Sequence, residues 1–382
     1  MENPEMENQE VEHRVPVWED LPLTFKISVV KELGYKDRCC LRKCSYQDML
    51  AVDATPNHLH EVAINTFEHY SLLSFSDQEN TVYAIRYNKN LREAGAKFEF
   101  TIAPKVYIPG KNEKLESKKV LNREPFPADF NDMDLVLVDF WILLKKLHCE
   151  KLHLNGVIMK DWHPMAHPEK TLEFRARLLE MLTDPEVVKI KTKALSLHWH
   201  QEQDEILQIL QKLDANTLKS LEFSDRNATW EVDQIVETDQ WRRSEKVLLE
   251  LLTTFNVEAY VHFSEIQMHV RNLEEQELWR LIQIFIAKNL HGSSFHFTYR
   301  VDEPDLQRIL DTFDVEAKNE PIHAQTQLRS VLGGRFIHTQ RFKMPSPDLV
   351  LVLMISEKEV MGTVCHKDQV DVEAKVERGL LR

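Results

Sequence analysis

The chain has little glycine and proline, and its cysteines lack the spacing of a metal site. Its 382 residues include 9 glycines, 15 prolines and 5 cysteines. So few turn-forming residues disfavour an all-β fold and leave little room for glycine-rich phosphate loops. No CxxC pair occurs among the cysteines, which are Cys39, Cys40, Cys44, Cys149 and Cys365. We therefore expect reduced thiols and a cytoplasmic or nuclear location.

Long apolar runs and excess positive charge are also absent. The longest runs, "LVLVDFWILL" and "LVLVLMIS", are too short to span a bilayer, and the acidic start "MENPEMENQEVEHR" does not look like a signal peptide. The net charge of -14 argues against binding to nucleic acid, which usually needs a basic patch. We expect neither a nucleic acid nor a membrane as partner.

Catalytic motifs are missing as well. The sequence contains no nucleophile elbow, HExxH helix, GxGxxG turn or Walker loop. Carboxylate pairs carry no information in a chain this acidic. We predict that the chain is not an enzyme and that it needs no cofactor.

From residue 151 onwards, strand-like and helix-like segments alternate. The predicted strands are 151–157, 193–200, 218–224, 258–264 and 293–301, and the predicted helices are 171–182, 204–213, a run through "VLLELL", 274–289 and 304–313. Each strand carries an apolar–polar–apolar triplet, such as Leu152-His153-Leu154, or a close variant of it. One face of the sheet would then meet solvent. This argues against a Rossmann sheet, because both faces of such a sheet are buried. We predict an α/β fold, an irregular leucine-rich-repeat-like stack of parallel strands and helices.

Several histidines fall on the predicted solvent-facing positions. If the strands are parallel neighbours in register, about 5 Å apart, these side chains form a row. The row consists of His153, His198, His200, Glu222, His262 and His296. Two readings are open: a metal site, which lacks evident supporting carboxylates, and a partner-binding face. The plain alternative is that solvent-facing strand positions tolerate histidine. Two further histidines, His163 and His167, directly precede the helix-breaking prolines Pro164 and Pro168 and are expected in a loop.

Residues 18–56 predict three short helices. Leu23, Ile27, Val30 and Leu33 recur at helical spacing, with Asp20 as the expected cap, Pro22 in the first turn and Gly34 at the end. We expect Leu21, Pro22, Val30 and Leu41 to be exposed, so that they need a partner, and Cys39, Cys40 and Cys44 to be small buried hydrophobes.

This segment resembles an F-box, the module that binds the Skp-type adaptor of cullin-based ubiquitin ligases. The resemblance implies that the matching residues bind the adaptor. These residues are Leu21, Pro22, Ile27, Val30, Leu33, Leu41, Arg42 and Cys44. The sequence departs from the family at Thr24, where an acidic residue is usual, and at Tyr46, near a position often held by tryptophan. A helical cap on the following domain is the alternative reading.

A second resemblance follows along the chain. "LDANTLKSLEFS", "QIVETDQWRRSEKV" and "EAYVHFSEIQMHVRNLEEQELWRLIQIF" are similar to the FTH domain of the nematode F-box A family, over about residues 130–345. Together the two resemblances imply a substrate-recognition subunit that binds the adaptor, through it a cullin, and a protein substrate. The alternatives are a protein-interaction scaffold without ligase association, and a metal-dependent enzyme built on the histidine row.

The expected domain organisation has five parts. These are a disordered acidic leader (1–14), the F-box (15–56), a connecting region with short strands and an exposed loop (57–128), the FTH leucine-rich-repeat-like α/β domain (129–356) and a C-terminal tail (357–382), expected to be mobile from residue 366 onwards.

Overall fold

The three-dimensional structure is a computed structural model. It describes residues 17–66, 70–77, 81–89, 96–104, 118–122, 132–144, 147–157, 168–184, 189–198, 203–230, 232–271, 273–299, 338–356 and 358–368. The predicted leader, the predicted helix 304–313, and His163, His167 and His200 lie outside these residues.

The first described segment forms the three predicted helices. They are α1 (Leu23–Lys31), α2 (Tyr35–Leu41) and α3 (Tyr46–Ala54), preceded by a 3-10 turn at Trp18–Asp20. Asp20 does not cap α1 as predicted, because it lies within that turn and Pro22 occupies the N-cap position. A side-chain cap is present at α3, where the Ser45 side chain accepts a hydrogen bond from the Asp48 backbone N–H.

One mixed sheet of fourteen strands follows within the described residues. The strands are β1 (Asn57–Thr66), β2 (Tyr70–Ser76), β3 (Thr81–Lys89), β4 (Ala96–Pro104), β5 (Lys118–Asn122), β6 (Leu147–Val157), β7 (Lys191–His198), β8 (Ser220–Trp230), β9 (Lys246–Thr253), β10 (Glu265–Val270), β11 (Ser294–Tyr299), β12 (His338–Lys343), β13 (Leu349–Ile355) and β14 (Glu359–His366). The remaining α-helices are α4 (Asp132–Leu144), α5 (Pro168–Thr183), α6 (Gln203–Gln211), α7 (Asp239–Arg243) and α8 (Glu275–Lys288).

The strand order is β12-β13-β14-β11-β10-β9-β8-β7-β6-β1-β2-β3-β4-β5. The central strands, β1 and β6 to β11, are parallel, and β6 to β11 lie side by side in chain order. Both outer parts of the sheet are antiparallel. The predicted α/β class and parallel strands are therefore present, while the leucine-rich-repeat-like stacking stays a prediction.

A ladder of apolar side chains positions the central strands. Its members are paired in register and are at most 2% exposed: Val62, Leu152, Leu195, Leu221, Val247, Ile266 and Phe295. The buried faces of α4, α5, α6 and α8 join the same core as this ladder. These helices therefore cover one face of the sheet, and the alternate residues of each strand point to the other face.

Two element predictions in the body were wrong. "VLLELL" was predicted as helix but forms most of β9, where Val247 and Leu249 point into the core. Residues 258–264 were predicted as strand but form a 3-10 turn and a bend, and the strand begins only at Glu265. In this turn Tyr260 and Phe263 pack against Trp241, with ring centroids 5.6 and 5.0 Å away. The two apolar side chains therefore stabilise a turn and not a strand.

The predicted domain limits at residues 128 and 356 do not divide the sheet. β1, from the predicted connecting region, lies in parallel register against β6. β14, from the predicted tail, is inserted between β11 and β13. Gly362 makes this insertion possible, because a methyl group there would overlap the Phe295 ring of β11. The described part of the tail is therefore integral to the sheet.

The apolar run around residue 140, too short to be a membrane span, forms the thirteen-residue helix α4. In the part of the chain that the structure describes, no helix has the length and apolar character needed to cross a bilayer.

Candidate functional site

The three N-terminal helices carry a concentration of exposed apolar side chains. Ten large apolar residues are exposed in the described part of the chain, and half of them lie between residues 17 and 50. We call these five the helical apolar surface: Val17, Leu23, Phe25, Tyr46 and Leu50. Phe25 is 52% exposed and Tyr46 is 70% exposed. Apolar area of this kind on a short helical unit is typical of a protein contact.

The predicted adaptor-binding residues divide into three groups by burial. Val30 is fully buried, Leu21, Ile27, Leu33 and Leu41 are half-buried, and Pro22, Arg42 and Cys44 are exposed. The expectation that Val30 is exposed was therefore wrong, because α1 directs this side chain into the protein interior. Cys40 and Cys44 are exposed rather than buried, and Cys39 is half-buried.

Polar contacts fix the N-terminal helices relative to one another. The Trp18 indole donates to Asp48 Oδ1 at 2.7 Å, and Ser45 Oγ donates to Asp48 Oδ2 at 2.7 Å. These two hydrogen bonds, that of Ser45 first, lower the pKa of the Asp48 carboxyl. Lys26 Nζ of α1 lies 3.0 Å from Gln47 Oε1 of α3. Because these contacts tie the first turn and α1 to α3, the helical apolar surface is preorganised.

A buried arginine and an aromatic cluster join the helices to the sheet. The Arg38 guanidinium donates to the backbone oxygens of Lys31, Leu33 and Pro56 at 2.9, 2.8 and 2.8 Å. Burial lowers the pKa of this guanidinium. The Tyr35 ring lies 4.7 Å from Phe75 and 5.2 Å from Tyr83, both core residues of the sheet. Sequence analysis did not identify these residues, because their partners are distant in the chain or lie on the backbone.

The face of the sheet opposite the apolar ladder contains part of the predicted histidine row. The residue that follows each member of the apolar ladder along its strand is also paired in register with its neighbours. These residues are Ala63, His153, Ser196, Glu222, Leu248, Gln267 and His296. His153, Glu222 and His296 thus share one row, and His198 lies two residues beyond Ser196 on the same face.

His153, His198 and Glu222 each pair with a charged side chain on the same face of the sheet. His153 Nε2 lies 3.2 Å from Glu61 Oε1, and His198 Nε2 lies 3.3 Å from Glu222 Oε1. Lys151 Nζ lies 3.7 Å from Glu222 Oε2. Burial alone raises the pKa of the Glu222 carboxyl, but the hydrogen bond and charge of His198, together with Lys151 and His153, lower it to about 2. We call these five residues the polar cluster.

Other members of the predicted row are placed elsewhere. His262 is not on a strand but in the turn before β10, where its Nε2 lies 2.8 Å from the Trp241 backbone oxygen. His296 is on β11 as predicted, but it is only 9% exposed and its Nε2 lies 2.9 Å from Glu359 Oε2. This contact arises because β14 is inserted beside β11.

The polar cluster makes hydrogen bonds and charge pairs within the described residues. No group of three or more His, Cys, Asp or Glu side chains that could hold a metal ion is found among the described residues. Ser196 Oγ and Glu222 Oε1 both contact Nε2 of His198, whereas a catalytic triad needs the nucleophile and the acid on different ring nitrogens. In addition, Ser196 is fully buried.

One comparison with known proteins gave a match. Residues 173–316 match the family model described as the FTH domain. In this chain the matched residues include β7 to β11 and most of α5. No curated protein and no solved structure matched the chain. The match supports the FTH family for this segment, a family associated with F-box proteins. Helices α1 to α3 lie outside the matched segment, so their assignment as an F-box stays a prediction.

Proposed function

We propose that this chain is the substrate-recognition subunit of a Skp–cullin–F-box-type ubiquitin ligase. In this proposal α1 to α3 bind the Skp-type adaptor and, through it, a cullin, while the sheet domain binds a protein target. The chain itself catalyses no reaction and needs no cofactor; it holds the target close to the ligase machinery. Its place of action would be the cytoplasm or the nucleus.

The observation that carries the proposal is the helical apolar surface on a rigid support. Exposing Leu23, Phe25 and Tyr46 to water is unfavourable, by about 25 cal/mol for each Å² of apolar area that a partner could cover. The contacts of Asp48 and Lys26 hold α1 and α3 in place before any partner arrives. A preorganised apolar surface loses little conformational freedom on binding, which favours affinity.

The family match gives independent support. An FTH segment follows the three helices in the chain, and FTH domains are associated with F-box proteins. An adaptor-binding unit and a separate target-binding body are the two parts that a substrate receptor requires. The sequence resemblance of residues 18–56 to an F-box agrees with this order.

The proposal predicts that charge on the helical apolar surface prevents adaptor binding. Phe25 and Tyr46 are more than half exposed, so Phe25→Glu with Tyr46→Glu is expected to leave the fold intact. Each lost anchor costs about 2 kcal/mol, about thirtyfold in affinity, so the double variant is expected to bind at least about a hundredfold more weakly. The measurement is co-purification of the full chain with a Skp-type adaptor, followed by titration.

The matched control is Leu290→Glu. Leu290 is 49% exposed but lies beyond α8, far along the chain from α1 to α3. This variant is expected to retain adaptor binding. Failure of the wild-type chain to bind any Skp-type adaptor, or equal binding by the double variant, would refute the assignment.

A second candidate is a protein-interaction scaffold in which the three helices only cap the sheet. The observation in its favour is that Arg38 and Tyr35 fasten the helices firmly to the body. In that case adaptor binding is absent and Phe25→Glu with Tyr46→Glu changes nothing but solubility. The same titration therefore separates the two candidates.

A further inference from the structure

A cavity lies at the joint between the N-terminal helices and the sheet. Its volume is about 420 Å³, within the usual range of small-molecule sites. One wall consists of residues between Lys31, which ends α1, and Arg38 of α2, and the other wall includes Asn57, His58 and Leu59 of β1. We call it the joint cavity. A molecule bound there would contact both the helices and the sheet.

Arg38 brings a buried positive charge to this cavity. It lines the cavity although the residue is only 6% exposed. The three hydrogen bonds of its guanidinium end on uncharged backbone oxygens, and among the described residues it forms no ion pair. A guanidinium has more N–H groups than three contacts use, and its shape matches phosphate and carboxylate groups. Arg38 therefore favours an anion in the joint cavity.

His58, His148 and Lys191 follow one another at the starts of three neighbouring strands. His58 of β1 pairs in register with His148 of β6, which pairs in turn with Lys191 of β7. The His58 and His148 rings are arranged edge to face, and their centroids lie 5.1 Å apart. We call these three residues, together with Lys31 and Arg38, the basic cluster.

The charges that act on the two imidazoles of the basic cluster are positive. Burial, and then the charges of Arg38 and Lys31, lower the pKa of His58. Burial, and then His58 and Lys191, lower the pKa of His148. At neutral pH both rings are therefore uncharged, and each has an N–H group that can donate to a ligand. A bound anion would offset the positive potential around them.

The lysines of the basic cluster differ from other lysines at the strand starts. Lys193 and Lys219 pair with glutamates at 2.7 and 2.6 Å. Lys31 and Lys191 are exposed, and within the part of the chain that the structure describes they form no ion pair. The net charge of the chain is -14, so a group of cations without carboxylate partners stands out. Such a group attracts an anion from solution.

Two carboxylates also line the joint cavity and narrow the class of anion. Asp77, just after β2, accepts hydrogen bonds from the Thr81 backbone N–H at 2.9 Å and the Tyr83 hydroxyl at 3.0 Å. Glu32, just after α1, is exposed. Carboxylates repel a bare anion, but they accept hydrogen bonds from hydroxyl groups. A molecule with one anionic group and a body that carries hydroxyl groups satisfies both parts of the lining.

We propose that the joint cavity binds a sugar phosphate, with the phosphoryl group towards Lys31, Arg38 and His58 and the hydroxyl groups towards Glu32 and Asp77. A phosphoryl group fits better than a carboxylate, because it offers more acceptor oxygens to several donors. The ligand takes part in no reaction; it joins the helices to the sheet. The proposal goes beyond the proposed function and does not depend on it.

The test uses the full chain and glucose 6-phosphate, with glucose and inorganic phosphate for comparison. Isothermal titration calorimetry in a phosphate-free buffer near neutral pH is expected to show saturable binding of glucose 6-phosphate with a Kd below about 1 mM. Glucose is expected not to bind, because it lacks the anionic group. Inorganic phosphate is expected to bind about fivefold more weakly than glucose 6-phosphate, because it makes no hydroxyl contacts.

A double variant tests the phosphoryl contacts. Lys31→Gln with His58→Gln is expected to weaken binding of glucose 6-phosphate at least about tenfold, because hydrogen bonds to a charged group are strong ones. Both residues are exposed, so the fold is expected to stay intact. The matched control is Lys219→Gln with His60→Gln, which removes the same side-chain types where they pair with glutamates outside the cavity. This control is expected to bind like the wild type.

A variant with a gain of binding makes the test independent of any folding defect. Glu32→Gln removes a negative charge from the cavity lining, so it is expected to bind inorganic phosphate about threefold more tightly. Saturating glucose 6-phosphate is also expected to slow chymotrypsin cleavage within residues 31–56 several fold in the wild type, because the ligand contacts both walls. It is expected to have no such effect on Lys31→Gln with His58→Gln.

Four results would overturn the proposal. These are absence of saturable binding of glucose 6-phosphate, equal binding of glucose, equal binding by Lys31→Gln with His58→Gln, and unchanged cleavage in the presence of the ligand. Equal affinity for inorganic phosphate and glucose 6-phosphate would overturn the role given to Glu32 and Asp77.

The adaptor titration described above is independent of this test. Sugar-phosphate binding is measured without adaptor, and the variants leave the residues of the helical apolar surface unchanged. If adaptor binds but glucose 6-phosphate does not, only the cavity proposal fails. If glucose 6-phosphate binds and adaptor does not, only the ligase assignment fails.

Discussion

Glu222 is the residue on which the polar cluster depends. Its carboxyl is 24% exposed and interacts with the side chains of His198, Lys151 and His153, which lower its pKa to about 2 in the folded chain. In the unfolded chain the pKa returns to about 4.3. Ionised Glu222 therefore stabilises the fold at pH values above the unfolded pKa, and this contribution decreases as the pH falls from about 4.3 towards 2.

The corresponding prediction is a pH-dependent loss of stability in Glu222→Gln. At about pH 5.5 the variant is expected to unfold about 2 kcal/mol more easily than the wild type, and at about pH 3.5 the difference is expected to be smaller. Urea unfolding at the two pH values measures this. Glu265→Gln is the control, because Glu265 is equally exposed but pairs with the single, half-exposed Lys246, and we expect a loss under about 1 kcal/mol. A pH-independent difference for Glu222→Gln would contradict the electrostatic account.

Individual residues also show where sequence reasoning works. The apolar members of the triplets, including Leu154, Leu197 and Phe223, lie in the core in register, because alternation along a strand is a local property. The environment of His296 is not local. Its partner Glu359 is 63 residues away and reaches it only because β14 is inserted beside β11. No pattern within a short segment predicts such a contact.

At the scale of elements, the joint between the three helices and the sheet depends on Arg38. The side chain is 6% exposed, and its three hydrogen bonds end on backbone oxygens at the end of α1 and just before β1. Removing a buried donor leaves its acceptors unpaired, which costs about 1–3 kcal/mol. Loss of the Arg38 side chain is therefore expected to loosen this joint.

We predict that Arg38→Met loosens this joint. Chymotrypsin is expected to cleave the variant within residues 31–56 several times faster than the wild type, while the sheet stays resistant. Mass spectrometry of the fragments gives the site and rate. Arg42→Met is the control, because Arg42 is exposed and pairs only with Asp53, at 2.7 Å. Equal cleavage of Arg38→Met and wild type would show that the three hydrogen bonds do not hold the helices.

Elements of uniform apolar character were the hardest to predict. The run "VLLELL" fits a helix or a strand equally well, and only its position between β8 and β10 makes it a strand. Residues 135–144 were recognised as apolar but not as a helix, since α4 lacks the polar outer face that usually marks one.

The whole molecule is organised around one continuous sheet. Its central parallel strands could be predicted, because strand-like and helix-like segments alternate in the sequence. The antiparallel outer parts could not be placed, because β1 and β14 pair with strands that are distant in the chain. This continuity joins the helical apolar surface at one end of the chain to the FTH segment through a single folded body.

Hydrogen exchange of the full chain with and without a Skp-type adaptor tests the central claim most directly. The account predicts slower exchange on adaptor binding in α1 and α3, where Phe25 and Tyr46 would become covered, and no change in the central strands β6 to β11. Unchanged exchange in α1 and α3, or protection confined to the sheet, would contradict the claim that these helices form the adaptor-binding surface.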